Sequence, residues 1–207
     1  GGTRDDAVGE AYDKVARVLG LGYPGGPLID EAAKKGDPDA IGFKRVYLEK
    51  DSYDFSFSGI KTGVLNHINT EKQAGRWQGA ENSKGIADIA ASFQQAVLEV
   101  IVAKSVKAAE EYNSYQDQGK HKDGAEKLKD GKGKEHPKLV VAGGVAANSR
   151  LRSMLDNACG RRGIELFMPP PVLCTDNAAM IGCAAYYSAK AGKTDGLSLD
   201  AYANLPL

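Results

Sequence analysis

The sequence has few cysteines, and this limits its compartment and chemistry. Its 207 residues include only Cys159, Cys174 and Cys183, and no two of them form a C-x-x-C pair. A sparse and odd cysteine count gives no disulfide framework and is typical of proteins from a reducing compartment. We therefore expect a cytoplasmic protein.

Long apolar runs and export signals are missing as well. No stretch approaches the roughly 18 consecutive apolar residues that a membrane-spanning helix needs. The first residues, GGTRDD, lack the basic-then-apolar layout of a signal peptide, and there is no initial Met. We expect no membrane partner, and the abrupt start fits a fragment of a longer protein.

Charge of one sign is not in excess. Lys plus Arg and Asp plus Glu both number 27, so the formal net charge at pH 7 is zero. This balance provides no overall basic field, so a tRNA or DNA partner would need a local basic patch. The 42% hydrophobic and 26% charged residues are typical of a globular protein.

Several catalytic signatures are absent too. The chain has neither a Walker A sequence nor G-x-G-x-x-G. Its three histidines, His67, His121 and His136, form no H-E-x-x-H and no H-x-x-x-H pair. Spacing alone therefore predicts neither a P-loop nor a histidine-chelated metal, and it suggests no Ser-His-Asp or Cys-His arrangement.

Hydrophobic periodicity predicts an α/β protein. Helices are predicted over 5–19, from an N-cap at Ser58 onward, over 86–112, and over about 148–160 and 176–191. Strands are predicted over 139–142 and 164–169, with two more around a polar turn within 43–59. The alternation of strand and helix with short connections is typical of α/β folds.

Three segments are predicted to lack regular structure. Residues 22–30, GYPGGPLID, read as a rigid turn, and residues 69–84 as a polar loop. Residues 113–137 contain six lysines, five acidic residues and four glycines, with Leu128 as the only aliphatic larger than Ala. This composition cannot bury a core, so we predict a mobile polar insertion, with a basic loop touching RNA as the alternative.

The segment LVVAGGVAANSRLR, residues 139–152, is the first candidate for a binding site. A strand that ends in Gly143 and Gly144 and leads into a helix places backbone N–H groups at the positive helix end, which favours anions. Asn148 at the helix start can cap the helix or bind a ligand. The residues alone leave both interpretations open.

Aspartates mark two further candidates. Asp176 precedes a helix rich in alanine, and the pattern favours a helix cap over the alternative, a metal ligand. Asp13, on the first predicted helix, and Asp30 flank the open backbone of Gly26 in sequence. Carboxylates beside such a backbone can bind the hydroxyl or amino groups of a sugar or amino acid. The alternative is that Asp13 and Asp30 are ordinary surface carboxylates beside a turn.

Taken together, these segments resemble a known family. DDAVGEAYDKVARVLGLGYPGGPLID, DFSFSGIKTGVLNHI, LVVAGGVAANSRLR and CTDNAAMIGCAAYY follow the order seen in the second half of bacterial-type tRNA threonylcarbamoyladenosine transferases. This is the TsaD/Gcp family, formerly called O-sialoglycoprotein endopeptidases. The resemblance leaves out only 113–137, and it implies that residues 1–207 are the C-terminal portion of a two-lobed enzyme whose N-terminal lobe is absent.

The resemblance implies a fold and an activity. The fold is a lobe of the actin/sugar-kinase/Hsp70-like, or ribonuclease H-like, type with additional helices. The enzyme transfers threonylcarbamoyl from threonylcarbamoyl-adenylate to the exocyclic amine of the adenosine next to the anticodon of tRNA. The implied ligands are an adenylate, ATP or ADP and one divalent metal, iron or zinc. The implied partners are tRNA, an inactive paralogue and a small ATPase.

The resemblance also implies roles for individual residues. The positions that match substrate- or nucleotide-binding residues are Asp13, Gly26, Asp30, Gly143, Gly144 and Asn148. Asp176 matches a metal ligand, which reverses the preference for a cap. The family's paired histidine ligands belong to the missing half, so we expect the chain alone to bind metal poorly and to be inactive. No catalytic residue is assigned.

Three other functions remain open. One is a metallo-glycopeptidase, as in the older family name, and another is a kinase-like phosphotransferase of the same superfold. The third is a non-catalytic scaffold lobe. The reaction products distinguish the four functions. The transferase yields modified tRNA, the glycopeptidase a cleaved glycoprotein and the phosphotransferase a phosphorylated metabolite, whereas a scaffold yields no product.

Overall fold

A computed structural model describes residues 1–77, 83–117 and 136–200, which belong to two compact units. The first unit is Gly1–Cys174, and the second starts at Thr175. The helices of the first unit are α1 (Val8–Val18), α2 (Gly25–Ala33), α3 (Ser58–Gln73), α4 (Ser83–Asp117) and α5 (Ser149–Arg162), with short 3-10 helices at Gly144–Ala147 and Pro171–Leu173. The second unit contains α6 (Ala178–Lys190).

Two short parallel strands, β1 (Lys138–Val140) and β2 (Glu165–Phe167), form a small sheet. Leu139 pairs with Leu166 at the centre of the register, and α5 connects the strands. The strand–helix–strand order is as predicted, although each strand is shorter than expected. A helix-rich protein with a small parallel sheet agrees with the predicted α/β class.

The helix α4 forms the centre of the core, and α2, α3 and α5 pack on it. The periodicity of residues 86–112 predicts one buried stripe, and the structure buries all of its members except the half-buried Ile101; the members are Ile86, Ile89, Ala90, Phe93, Val97, Val100 and Ile101. Phe93 is fully buried and meets the ring of Tyr12 edge-on, with the ring centroids 5.1 Å apart. The periodicity of this segment therefore identified both the helix and its buried face.

By length and composition alone, Ser83–Tyr112 of α4 could also cross a membrane, contrary to the expectation that no segment comes close. In the fold, however, 72% of its most apolar window is buried within the protein. Core helices of soluble proteins satisfy the same criteria of length and composition. We therefore interpret α4 as a core helix.

The two strands predicted within 43–59 do not form. Phe55 instead makes one isolated parallel bridge with Thr3. The buried ammonium of Lys104, on α4, donates hydrogen bonds to the carbonyl oxygens of Ser52 and Asp54. The alternating aromatic residues suggested a strand, but these backbone groups find their partners in a lysine side chain rather than in a neighbouring strand.

Several element boundaries also differ from the prediction. The helix α2 already starts at Gly25, so the predicted turn over 22–30 is shorter than expected. The helix α3 continues to Gln73, into the predicted loop 69–84, of which 78–82 lie outside the described residues. The helix α4 reaches Asp117, inside the predicted insertion, whose residues 118–135 lie outside the described part.

The N-terminus of α3 is capped by Asp5 and not by Ser58, the predicted N-cap. Ser58 is the first residue of the helix. Asp5 Oδ1 accepts hydrogen bonds from Phe57 N at 2.8 Å and Ser58 N at 3.2 Å, while the hydroxyls of Ser56 and Ser58 donate to Asp5 Oδ2. Partial burial raises the pKa of Asp5, but the four hydrogen bonds outweigh it and hold the pKa at about 2.

Replacing Asp5 by alanine is expected to destabilise the fold by about 1 kcal/mol at pH 7, as for the loss of a helix cap. The folded-state pKa lies below the ordinary 3.8, so this stabilisation is present above pH 3.8 and is lost as the pH falls towards 2. Urea unfolding across this range checks the prediction. Wild type and D5A should converge in acid, and equal stability at pH 7 would contradict it.

Candidate functional site

The N-terminus of α2 lies against α1 and is capped by Asp13. Asp13 Oδ1 accepts a hydrogen bond from Gly25 N at 2.7 Å. A Cβ atom at Gly25 would lie 2.6 Å from Asp13 Cα and from Tyr12 O, so glycine is what allows the two helices to approach so closely. In this first turn Gly26 N has no intrahelical acceptor and Pro27 has no N–H, which leaves Gly26 as a backbone donor for a ligand.

A second aspartate caps α5. Asp30, on α2, accepts hydrogen bonds from Ser149 N at 3.1 Å and Ser149 Oγ at 3.0 Å. Asn148 precedes the helix and its Oδ1 accepts from Leu151 N at 2.9 Å, which confirms the cap interpretation of Asn148. We predicted that the start of this helix favours an anion. In this structure the Asp30 carboxylate occupies that position.

Gln94 of α4 connects Asp30 and Asn148. Gln94 Nε2 donates to Asp30 Oδ1 at 3.2 Å, and Gln94 Oε1 accepts from Asn148 Nδ2 at 2.8 Å. Gln94 is 4% exposed and Asn148 is 9% exposed, so their contact is shielded from water. The sequence patterns missed Gln94, and the signal that could have identified it is a polar residue next to Phe93 in the core helix.

A pocket of about 360 Å³ lies beside this network, between α2, α4 and α5. Asp30, Gln94 and Ser149 line it together with the cationic side chains of Lys34 and Arg150. Pockets of roughly 300–1,000 Å³ are the usual size of small-molecule sites. The Arg150 guanidinium donates two hydrogen bonds to Gln95 Oε1, at 3.0 and 3.2 Å, and its charge helps to lower the pKa of Glu99, while Lys34 pairs with Glu31.

Gly143 and Gly144 are exposed at the start of the 3-10 helix that precedes Asn148. Gly143 has a φ of +88°, a left-handed conformation that strains any other residue, and a Cβ atom there would meet no atom within 4 Å. The backbone conformation, and not a neighbouring element, therefore explains the need for glycine at position 143. The open space beside it is compatible with a bound ligand.

Asp176 lies in the second unit, just before α6. Asn177 caps this helix, with its Oδ1 accepting a hydrogen bond from Met180 N at 3.0 Å, so the structure excludes the cap interpretation of Asp176 that the residues alone favoured. The metal-ligand assignment that the resemblance put in its place stays a prediction. The exposed carboxylate of Asp176 has no hydrogen bond or ion pair to any residue within the described ranges. Those ranges contain no group of three His, Cys, Asp or Glu side chains that could hold a metal ion.

The structure brings most of the predicted site residues of the first unit into one region. Gly26 and Asp30 are four residues apart and share one face of α2. Asp13 holds the N-terminus of that helix, and Asp30 meets Asn148 through Gln94. Residues from three distant segments thus converge on two helix N-termini.

This geometry defines a class, namely an α/β protein whose candidate ligand site gathers two carboxylates, a carboxamide and open glycine backbone around two helix N-termini, an arrangement suited to the hydroxyl groups of a sugar or nucleoside. A model of the family described as tRNA N6-adenosine threonylcarbamoyltransferase matches residues 1–183. The chain belongs to this family, known as TsaD, which confirms the resemblance seen in its four motifs.

Similar proteins in other organisms bear the same name. The chain is 46% identical over 207 residues to the tRNA N6-adenosine threonylcarbamoyltransferase of Clostridioides difficile, covering 100% of this chain and 53% of that protein. It is 47% identical to the enzymes of that name from Staphylococcus saprophyticus and Moorella thermoacetica, covering 52% of each. The chain therefore spans about half the length of the curated relatives it matches.

Proposed function

We propose that this chain is the C-terminal portion of an enzyme that moves threonylcarbamoyl from threonylcarbamoyl-adenylate to the adenosine next to the anticodon of tRNA. The observation that carries the proposal is the convergence of Asp30, Gln94 and Asn148 beside a pocket with cationic side chains. The family match over residues 1–183 and the shared name of the relatives support this chemistry. The complete protein would then have two lobes of the actin/sugar-kinase/Hsp70-like fold.

The adenylate is the proposed ligand of the convergent site. Gly26 N offers a hydrogen-bond donor, and Asp13 uses only Oδ1 in capping α2, so its second oxygen can accept from a ligand hydroxyl. Asp30 accepts three hydrogen bonds, which leaves its carboxylate room for one more. Gly143 and Gly144 would lie along the nucleotide, next to the Asn148 carboxamide.

The reaction needs no covalent intermediate with the protein, because the group donor, threonylcarbamoyl-adenylate, is already activated. The adenosine amine attacks the carbamoyl carbonyl carbon, the bond from that carbon to the phosphate oxygen breaks, and AMP leaves. The described residues would hold the adenylate in position against the amine and stabilise charge on the leaving phosphate through backbone N–H groups and Arg150. No residue is assigned to accept the proton that the amine releases.

Metal binding is proposed only for the complete protein. Asp176 would supply one ligand to a divalent ion, iron or zinc, whose remaining ligands lie outside this chain. A lone carboxylate does not make such a site, so no step of the transfer is assigned to the metal. The proposed partners are tRNA, an inactive paralogue and a small ATPase, all in the cytoplasm.

Replacing Asn148 by alanine in the full-length protein is expected to reduce tRNA modification by roughly five- to 150-fold, because a buried carboxamide worth about 1–3 kcal/mol is lost from the site. The measurement is threonylcarbamoyladenosine in tRNA digests, quantified by mass spectrometry. Asn157→Ala is the matched control, since Asn157 lies on α5 and, within the described residues, its side chain donates only to Ser153 O. Equal loss in both variants, or none in either, would contradict the assignment.

A further inference from the structure

Gln94 lies in the middle of a series of hydrogen bonds that all run in one direction. Leu151 N donates to Asn148 Oδ1 at 2.9 Å, and Asn148 Nδ2 donates to Gln94 Oε1 at 2.8 Å. Gln94 Nε2 then donates to Asp30 Oδ1 at 3.2 Å. The series therefore begins at a backbone N–H of α5 and ends on a carboxylate of α2.

The carboxylate at the end sets the direction of the whole series. An ionised carboxylate can only accept hydrogen bonds, so Gln94 must present its nitrogen to Asp30 and its oxygen to Asn148. Asn148 must in turn present nitrogen to Gln94, and the backbone N–H of Leu151 requires its oxygen. Ser149 donates from both its backbone N and its hydroxyl to Asp30, which fixes the carboxylate in place.

Burial makes the opposite orientation costly. Gln94 is 4% exposed and Asn148 is 9% exposed, so water cannot replace a lost partner. Reversing either carboxamide would place two acceptors, or two donors, face to face in a buried position. The Asn148 Oδ1 atom consequently accepts from Leu151 N, and one Nδ2 hydrogen donates to Gln94. The second Nδ2 hydrogen has no acceptor among the described residues.

We infer that Gln94 is a positioning residue that, together with Asp30, locks the Asn148 carboxamide as a hydrogen-bond donor, so that the ligand atom bound at Asn148 is an acceptor. In an adenylate the matching atoms are a ring nitrogen of the base, an oxygen of the ribose and an oxygen of the phosphate. The inference rests on the proposed function, in which Asn148 contacts the adenylate. It adds the chemical character of that contact and the residue that determines it.

The orientation can be tested without any ligand. In the NMR spectrum of the 207-residue chain, one Asn148 Nδ2 hydrogen should exchange slowly with water, and in Gln94→Leu it should exchange fast. Asn157 is the internal control, because its Nδ2 bonds to Ser153 O and should be the same in both proteins. Fast exchange at Asn148 in the wild type, or no change in the variant, would overturn the role of Gln94.

Gln94→Glu separates positioning from packing, since the side chain keeps its size. When protonated, the introduced carboxyl group could still donate to Asp30, but when ionised it would repel that carboxylate. The affinity of full-length Q94E for AMP, measured by calorimetry, should therefore approach the wild-type value in mild acid and fall roughly tenfold as the pH rises. A buried ionised carboxylate can also unfold the protein, so the melting temperature is measured at each pH and AMP affinity is compared only where the variant is folded. A profile parallel to that of the wild type under those conditions would refute the inference.

Asn148→Asp tests the donor itself, because aspartate caps a helix as well as asparagine does. The variant keeps the cap but places a carboxylate oxygen against Gln94 Oε1, so it should melt at a lower temperature than the wild type. At a temperature where it is still folded, it should bind AMP roughly ten- to a hundredfold more weakly, since an acceptor replaces the donor. Unchanged AMP affinity would overturn the inference. Lack of AMP binding by the wild type would instead count against the proposed function, while the exchange of the Asn148 amide would still decide the role of Gln94.

Discussion

Replacing Gly25 by alanine is expected to destabilise the fold by about 3 kcal/mol, at the upper end of the usual cost of overpacking. The added Cβ would lie 2.6 Å from Asp13 Cα, 2.6 Å from Tyr12 O and 2.9 Å from Ala16 Cβ. Two of these are backbone atoms of α1, so relief requires the helices to separate. Because α2 also bears Asp30, the candidate site would move with it.

Gly26→Ala is the matched control for this variant. A Cβ atom at Gly26 would meet no atom within 4 Å, and alanine favours a helix more than glycine does. G26A should therefore keep wild-type stability in urea, yet it places a methyl group on the backbone that we propose binds the adenylate. The expected result is a folded protein with weakened AMP binding, and equal stability of G25A and G26A would contradict the packing argument.

Replacing Phe93 by alanine is expected to cost about 3–5 kcal/mol, the usual range for a buried aromatic residue. Phe93 is fully buried, and its removal opens a cavity against the ring of Tyr12, 5.1 Å away between centroids. Since Gln94 is the next residue, the hydrogen bonds to Asp30 and Asn148 should also loosen. Urea unfolding measures the first effect, and amide exchange at Asn148 measures the second.

Phe167→Ala is the corresponding control, because Phe167 on β2 is 44% exposed. Because nearly half of its surface is exposed, its loss removes much less buried area, and the free energy of unfolding should fall by about 1 kcal/mol. Similar losses for F93A and F167A would show that the core does not centre on α4.

The elements that the sequence predicted best are those with local signals. Periodic apolar residues identified α1 and α4, and a glycine-ended strand before Asn148 identified the start of α5. These features depend on residues a few positions apart. Patterns of this kind survive in the folded protein because burial of one helix face dominates the local free energy.

The features that the sequence did not predict depend on distant partners. Three helices are capped by aspartates from other segments: Asp5 caps α3, Asp13 caps α2 and Asp30 caps α5, with the partners 12 to 119 residues apart in sequence. The local pattern pointed instead to Ser58 as the cap of α3, which was wrong, whereas Asn148 does cap α5, as one of its two predicted interpretations had it.

The candidate site shows the same limit. Asp13, Gly26, Asp30 and Asn148 were selected through a family resemblance, because single carboxylates and glycines fit many structural roles. The sequence did not predict Gln94 as a site residue, because its two hydrogen-bond partners, Asp30 and Asn148, lie 64 and 54 residues away in sequence. Only the folded arrangement places all of them around two helix N-termini.

Product analysis of the full-length protein tests the central proposal most directly. The protein is incubated with threonylcarbamoyl-adenylate and unmodified tRNA that has an adenosine next to its anticodon, and the nucleosides and released nucleotides are identified by mass spectrometry. The account predicts threonylcarbamoyladenosine next to the anticodon, with one AMP released for each group transferred. Unmodified tRNA together with a phosphorylated metabolite or a cleaved glycoprotein in parallel assays would contradict it.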